Sequence, residues 1–481
     1  MNITDPIRNF AQTKPGAVAI VRTDGTLLTY RELDQTLDAI ATRIGAAGLR
    51  PHDTVAVGIA NPFRYLIFLL ALARAGVTCA PVAMPVLRAS LCVLEGIVAA
   101  PPGVKVVELQ SLWHAATHAH APPPPVASCQ DGDVIVGFFP SSGTTGQPKH
   151  VGINNDLFCH RVSSRALALA LPDNLRQICH IGIGTWYGIS SSVGALWQGG
   201  MIVLSESPKQ IVPLIEKHQV NHLIVAPITL QHAMADMAPG SGPLPSLAMI
   251  EVGGSDLPLS LYNRAAQQLC SNIHCAYGAL ETGRIASAPM HLLATLPGAV
   301  GYVNAGVDVT AVDPQGMPLP AGMEGTLRIR SANCASSYAD DDTLTAAVFR
   351  DGWVYTHDVG TVGTDGMVTL RGRGSDVINK GGTKVSPQAI EAVVLAFPGV
   401  TEVAAFGAPD ADGIMQIWTA IVLRDPIDRD RLRALCKTSL GYAAPIGFIE
   451  LPALPRTESG KVRREELVKI ASDAMRKPPG A

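Results

Sequence analysis

An apolar run from Val134 to Phe139 passes directly into Pro140-Ser141-Ser142-Gly143-Thr144-Thr145-Gly146-Gln147-Pro148-Lys149-His150-Val151. The run reads as a buried strand. The nine residues from Ser141 to Lys149 then hold two Ser, two Thr, two Gly and a Lys, which marks a loop. Glycines let backbone N–H groups come close to an anion, hydroxyls add small donors, and Lys149 supplies positive charge, so the loop suits a polyphosphate. The spacing is not that of the Walker A loop: two residues separate Gly143 from Gly146, and His150 rather than Ser or Thr follows the lysine. Composition alone also allows a flexible surface loop.

Ahead of this stretch, Thr29-Tyr30-Arg31-Glu32 reads as a capping box, with Thr29 as N-cap. Leu33, Leu37, Ile40 and Ile44 recur behind it at helical spacing. Thr54 to Ile59 predicts a strand, Pro62 to Ala75 a more buried helix, and Val77 to Val82 another strand. Helices alternating with strands point to a doubly wound α/β architecture. His114, His118 and His120 suggest a metal site only superficially, since no Glu or Cys accompanies them and Pro122 to Pro125 follow; an exposed connector is the better reading.

Beyond the loop, Ile178 to Ile183 and Met201 to Leu204 predict strands around a Gly-rich segment holding Trp186, Tyr187, Gly188 and Trp197. Leu223 to Ala226 is another, and Ala248 to Val252 runs into Gly253-Gly254-Ser255-Asp256. A Gly pair ending a buried strand is where backbone approaches a ligand in α/β folds, although a plain turn has the same composition. From Gly298 to Arg330 short alternating strands with turns such as Asp313-Pro314-Gln315-Gly316 suggest a small β-barrel. Past Arg373 comes a small α+β unit: Ser386 as N-cap, Pro387 at the first helical position, a helix to about Ala396, strands near 402–406 and 416–423, and a helix from about Arg429 to Ser439. The boundary falls at Gly372 to Ser375, giving domains 1–372 and 373–481.

With 481 residues, 47% hydrophobic and 16% charged, the chain is globular and holds two or three domains. A net charge of -3 gives no basic excess for nucleic acid or an anionic membrane. The nine cysteines form no Cys-x-x-Cys pair, so neither zinc nor a disulfide framework is suggested. The N-terminus lacks the charged start and apolar run of a signal peptide, and Tyr65 to Ala73 is too short to span a bilayer. A cytoplasmic setting is the default expectation.

The loop is similar to the Ser/Thr-Ser-Gly-Thr-Thr-Gly-x-Pro-Lys-Gly signature of the adenylate-forming superfamily, which includes acyl-CoA synthetases, aryl-acid ligases, luciferases and peptide-synthetase adenylation domains. Four further stretches resemble its motifs in order: Tyr277-Gly278-Ala279-Leu280-Glu281, Gly352-Trp353-Val354-Tyr355-Thr356-His357-Asp358, Gly372-Arg373-Gly374-Ser375-Asp376, and Pro455-Arg456-Thr457-Glu458-Ser459-Gly460-Lys461.

The resemblance implies an ATP- and Mg²⁺-dependent enzyme. Ser141, Ser142, Gly143, Thr144, Thr145, Gly146 and Lys149 would cradle the β- and γ-phosphates, and Glu281 would be the carboxylate serving Mg²⁺. Gly253, Gly254 and Ser255 would line the adenine, with Tyr277 stacking on it and Gly278 beside it. Asp358, assisted by Arg373, would accept from the ribose hydroxyls, and Lys461 would bridge the substrate carboxylate and the α-phosphate. The small mobile C-terminal domain would rotate about Ser375, where relatives usually carry Asp or Lys, and Gly381 and Gly382 would line the channel for a thiol arm. The acid pocket would involve Thr185, Trp186, Tyr187 and Gly253. Its glycines and aromatic residues suggest an apolar, partly flat space for an aryl or aliphatic acid, and no Asp is present to grip an α-amino group.

Three residues depart from the family pattern: Leu280 for Thr, His357 for Gly, and His150 for the Gly after the loop lysine. The implied function is an acid–thiol ligase that makes an acyl-AMP, releases pyrophosphate and passes the acyl group to coenzyme A. Delivery to the phosphopantetheine arm of a separate carrier protein is one alternative, and a degenerate non-catalytic nucleotide-binding protein is another. A homodimer is compatible with either.

Overall fold

In the computed structural model the local signals near the N-terminus set both ends of their elements. The helix Tyr30–Ala46 starts on Thr29, whose side chain accepts from the Glu32 amide while the Glu32 carboxylate accepts from the Thr29 amide. Helix Pro62–Ala75 has Asn61 as N-cap, Pro62 at its first position and Gly76, at φ +73°, closing it in the left-handed region. It is apolar nearly all round and therefore buried: Leu66, Ile67, Leu69, Leu70, Ala71 and Leu72 are each 0% exposed. Truncating one of these leucines to alanine costs about 2–5 kcal/mol.

The structure describes residues 1–481 except 85–88, 96–102, 118–123, 141–148, 239, 255–256, 374–377, 381–382, 386, 410–414, 458–459 and 477–481, and in 114–117, 372–373, 379–380, 383–384 and 473–476 the backbone alone. These residues divide into two compact units. The first comprises Met1–Ser141, Lys149–Asp308 and Ile329–Val354; the second holds Val309–Arg328 and Tyr355–Ala481.

The first unit contains two largely parallel sheets. One runs in the order Val106–Glu108, Leu91–Leu94, Thr54–Gly58, Thr78–Pro81, Ile135–Pro140, His150–Asn154, all parallel except the last strand. The other has six parallel strands, Val18–Val21, Met201–Val203, Arg176–His180, His222–Val225, Met249–Val252 and Ile273–Ala279. Leu27–Thr29 pairs antiparallel at one edge, and Gly283–Pro289 then Ala299–Val303 at the other. The expected strands are thus present, most of them one or two residues shorter. The connector expected around His114 is a correction: His114 lies in a helix, Leu109–Thr117, and His118, His120, Pro122 and Pro123 lie outside the described residues.

Strands Val307–Val312, Gly325–Ser331, Trp353–Val362 and Met367–Arg373 lie side by side in that order. The turn at Asp313 is closed by Gly316 N donating to Asp313 O and Asp313 N donating to Met317 O. In the second unit a three-stranded sheet, Val400–Pro409, Met415–Leu423, Gly447–Glu450, is covered on both faces. Because side chains alternate along a strand, Ala405 packs with Ile390, Val394, Leu432 and Cys436 of helices Pro387–Leu395 and Arg429–Leu440, whereas Ala404 and Phe406 pack with Leu467 and Ala471 of helix Arg464–Arg476. Ser386, the expected N-cap, lies outside the described residues. No helix among the described residues is long and apolar enough to cross a membrane, and all nine cysteines are free thiols.

Candidate active site

The strand Ile135–Pro140 delivers the chain to the Gly/Ser/Thr loop. Ser141, Ser142, Gly143, Thr144, Thr145 and Gly146 lie outside the described residues. Lys149, at the loop's far end, is described: its Nζ stands 5.7 Å over the Tyr338 ring. The Tyr338 hydroxyl donates to Glu281 Oε1 at 2.8 Å, so a single phenol touches both residues assigned to phosphate and metal. His150 follows the lysine into the strand and is pinned by Asp340, its Nδ1 lying 2.6 Å from Oδ2.

Glu281 sits at the tip of the hairpin formed by Ile273–Ala279 and Gly283–Pro289. Thr282 closes that tip, its Oγ1 accepting from Ala279 N at 3.2 Å. The Glu281 carbonyl accepts from Ala335 N at 2.7 Å and from Arg161 Nη2 at 3.4 Å. Arg161 is buried, and burial brings its guanidinium down to about 10. Leu280, where the family pattern has Thr, packs against the main hydrophobic core, and the Thr282 hydroxyl is engaged within the turn. Tyr277 and Gly278 precede on the first strand. Gly278 lies opposite Arg284, and a Cβ there would fall 2.3 Å from Gly283 O, so only glycine fits.

Gly253 and Gly254 follow the strand Met249–Val252, with Gly254 at φ +91°; Ser255 is outside the described residues. A Cβ on Gly253 would lie 2.6 Å from Tyr187 Cε1. Tyr187 belongs to helix Trp186–Trp197, whose N-cap is Thr185: its Oγ1 accepts from Gly188 N at 3.1 Å and donates to Gly182 O at 2.7 Å. Trp186 packs edge-on against Phe139 and Phe158, at centroid distances of 5.5 and 4.9 Å, with the Arg161 guanidinium 4.9 Å from its ring.

The segment around Trp186 and Tyr187 is not apolar throughout, as the sequence suggested. The Tyr187 hydroxyl donates to Glu251, a carboxylate with 0% exposure. Arg165 Nη2 donates to Glu251 Oε2 at 2.9 Å and Arg284 Nη2 to Oε1 at 2.5 Å. Burial opposes ionisation of Glu251, but the two guanidiniums overcome it and hold the carboxyl below the usual carboxylate range. The phenol of Tyr187 is pushed well up by burial and by Glu251, and His222 is brought down to about 3 by burial and by Arg165. Sequence reading missed this cluster. Its one signal was an acid in the otherwise apolar run Met249-Ile250-Glu251-Val252.

In the second unit Asp358 is 6% exposed and lies directly opposite Arg373 in the strand pairing. Thr356 Oγ1 donates to Leu327 O at 2.7 Å and accepts from Asp358 N at 3.2 Å. His357, next along the strand, is exposed, so its side chain does not compete with Asp358 for buried space. Lys461 lies in a tight turn: Thr457 N donates to Lys461 O at 2.8 Å, Lys461 N to Thr457 Oγ1 at 3.2 Å, and Gly460 turns the chain at φ +83°. Arg456 fastens that turn to the sheet, donating to Gly460 O at 2.7 Å and to Glu402 Oε2 at 2.5 Å. Ser375, Gly381 and Gly382 lie outside the described residues.

No group of three His, Cys, Asp or Glu side chains among the described residues forms a metal cage. A lone carboxylate is nonetheless what Mg²⁺ uses when substrate phosphates and water complete its shell. Glu281, whose side chain meets a neutral phenol and whose main chain is fixed, fits that part.

Parallel sheets, a strand that leads to the Gly/Ser/Thr loop, and a carboxylate at a hairpin tip agree with the adenylate-forming resemblance. The chain belongs to the AMP-binding enzyme family, whose profile matches residues 7–339, and the AMP-binding enzyme C-terminal domain matches residues 389–461. It is 28% identical to the fatty acid–[acyl-carrier-protein] ligase ScoC of Streptomyces coeruleorubidus, over 95% of this chain and 94% of that protein. It is also 28% identical to a feruloyl-CoA synthase of an Amycolatopsis species, over 96% and 97%. Among solved structures, ATP-bound MatB from Rhodopseudomonas palustris superposes with a TM-score of 0.86 at 24% identity, covering 99% of this chain and 100% of that one. O-succinylbenzoate coenzyme A synthetase (MenE) from Bacillus subtilis, in complex with ATP and magnesium ion, gives 0.84 at 22%, covering 96% and 99%. These two likenesses establish the fold.

Proposed function

We propose that the protein is an AMP-forming acid–thiol ligase, which joins a carboxylic acid to coenzyme A through an acyl-AMP. The observation that carries this reading is the Lys149–Tyr338–Glu281 arrangement. It places a cation and a fixed carboxylate on one phenol, where the chain leaves the Gly/Ser/Thr loop for the strand His150–Asn154.

A carboxylate is a poor electrophile, because its charge repels nucleophiles and its oxygen leaves badly. Adenylation removes both obstacles, provided acid and ATP are held for in-line attack on the α-phosphate and the charge on departing pyrophosphate is neutralised. Lys149 meets that charge from the loop side. Glu281 and the triphosphate oxygens would hold Mg²⁺, which when bound supplies further neutralisation. The family motifs assign Gly253, Gly254 and Tyr277 to the base, Asp358 with Arg373 to the ribose, and Lys461 to the acid and α-phosphate. A domain 373–481 pivoting at Ser375 would bring the thiol to the adenylate past Gly381 and Gly382.

The thiol of a carrier protein is a second acceptor, favoured by the likeness to ScoC, just as the feruloyl-CoA synthase favours coenzyme A. Leu280 removes one hydroxyl near the phosphates, which retunes rather than silences a site that keeps Lys149, Glu281, Asp358 and Lys461. The test is pyrophosphate release from ATP and Mg²⁺ over a panel of aryl and aliphatic acids, with and without coenzyme A, for wild type and Lys461→Ala. Release with one acid class, accelerated by coenzyme A and lost in the variant, is expected. Release indifferent to coenzyme A moves the acceptor to a carrier protein, and silence with every acid overturns the ligase reading.

A further inference from the structure

The Glu251 cluster has one anion for two cations. Tyr187 and His222 are neutral at pH 7, and among the described residues no other carboxylate pairs with Arg165 or Arg284. Arg284 Nη1 and Arg165 Nε are buried and have no hydrogen-bond partner among the described residues. A buried cation without its own counter-charge is expensive, and a free guanidinium edge is shaped for a carboxylate or similar anion.

Its place in the fold says which anion. Arg284 lies opposite Gly278, in the hairpin that carries Tyr277 and Glu281. Through Glu251 it is joined to Tyr187, which lies against Gly253. The excess charge thus lies beside the residues assigned to the base and acid sites. Glu251, already met by two guanidiniums, is unavailable to a substrate ammonium group.

Resting on the ligase reading above, we propose that Arg284, backed by Arg165 across Glu251, is a subsite for a second anionic group on the acid, so that the preferred substrate is a dicarboxylate. Such a selection is strong, because an acid without the distal charge leaves the guanidinium unpaired.

The experiment compares acids that differ by methyl against carboxylate: butyrate with succinate, valerate with glutarate, 4-methylbenzoate with terephthalate. Pyrophosphate release is followed for the full-length wild type, Arg284→Met and Arg284→Lys. The diacid of at least one pair is expected to exceed its partner in kcat/KM by about tenfold or more, with the ratio falling to about one in Arg284→Met. Where Arg284→Met does not fold, Arg284→Lys, which keeps charge but not the planar fork, is expected to lower the ratio several-fold. The proposal is overturned if the monoacid wins in every pair, if the ratio is unchanged in the variants, or if monoacid and diacid lose equally, which would place Arg284 on the reacting carboxylate. If no acid releases pyrophosphate the ligase reading fails on its own. Titration calorimetry with the same acids then decides the subsite: diacid binding that disappears in the Arg284 variant upholds it, and diacid binding no tighter than monoacid overturns it.

Discussion

Two glutamates thirty positions apart in the first unit carry the same carboxylate into opposite circumstances. Glu251 stands on a central strand with no exposure and faces two guanidiniums, so its charge is cancelled from within. Glu281 stands at a hairpin tip, where its side chain meets one phenol and its carbonyl takes the amide and guanidinium donors. Position in the sheet decides the difference. A carboxylate entering the interior must bring cations with it, whereas one at a turn can keep its charge for a ligand. The first holds the fold and sets local potential, and the second is the one we propose to act on the phosphates.

That contrast breaks most clearly at Glu251. Glu251→Gln leaves two buried guanidiniums unmatched and is expected to lower stability by about 3–5 kcal/mol, read from denaturant unfolding. Loss below 1 kcal/mol would show the pair to be already hydrated. Glu281→Gln should spare stability but reduce pyrophosphate release by about 100-fold, and an undiminished rate would remove Glu281 from the phosphate chemistry. Acidification sharpens the comparison further. His222, held at about 3 in the folded state, takes a proton near 6.5 once unfolded, so stability falls as pH drops from 6.5 towards 3, by up to about 1.4 kcal/mol per pH unit. Glu251, with its folded value depressed, adds its loss below about 4.3. His222→Leu should flatten the slope between pH 6.5 and 5, and an unaltered slope would assign it to other groups. The smallest effect is expected from Tyr338→Phe, which removes one hydrogen bond worth about 1 kcal/mol. It should raise the Mg²⁺ concentration for half-maximal release several-fold while lowering unfolding stability by no more than about 1 kcal/mol.

Local signals carried most of the architecture. Asn61, Pro62 and Gly76 fixed both ends of one helix, and Thr29 with Glu32 fixed the start of another, because caps and turns are decided by neighbours in sequence. The family motifs placed Lys149, Glu281, Asp358 and Lys461 by analogy, and of the pairing around them only Asp358 with Arg373, opposite in the strand register, was legible. Tyr338, which joins Lys149 to Glu281, lies 57 residues from the latter. Arg165 and Glu251 are 86 apart, Arg284 and Glu251 33. Periodicity tells which face of an element is buried, not which buried charges meet there. Tyr187 shows the limit: among glycines and tryptophan it reads as apolar lining, while its hydroxyl serves a carboxylate from another strand. His114 shows a lesser one, since a helix ending just before a proline run carries little periodic signal of its own.

Trp186 has a consequence of another kind. An indole held edge-on by Phe139 and Phe158, with a guanidinium against it, is a chromophore in a fixed, asymmetric field, and Phe139 belongs to the strand that delivers the phosphate loop. Its near-ultraviolet circular dichroism, isolated as the difference between wild type and Trp186→Phe, makes the base of that loop optically visible. The protein therefore carries, at the foot of the proposed nucleotide site, a label that needs no dye.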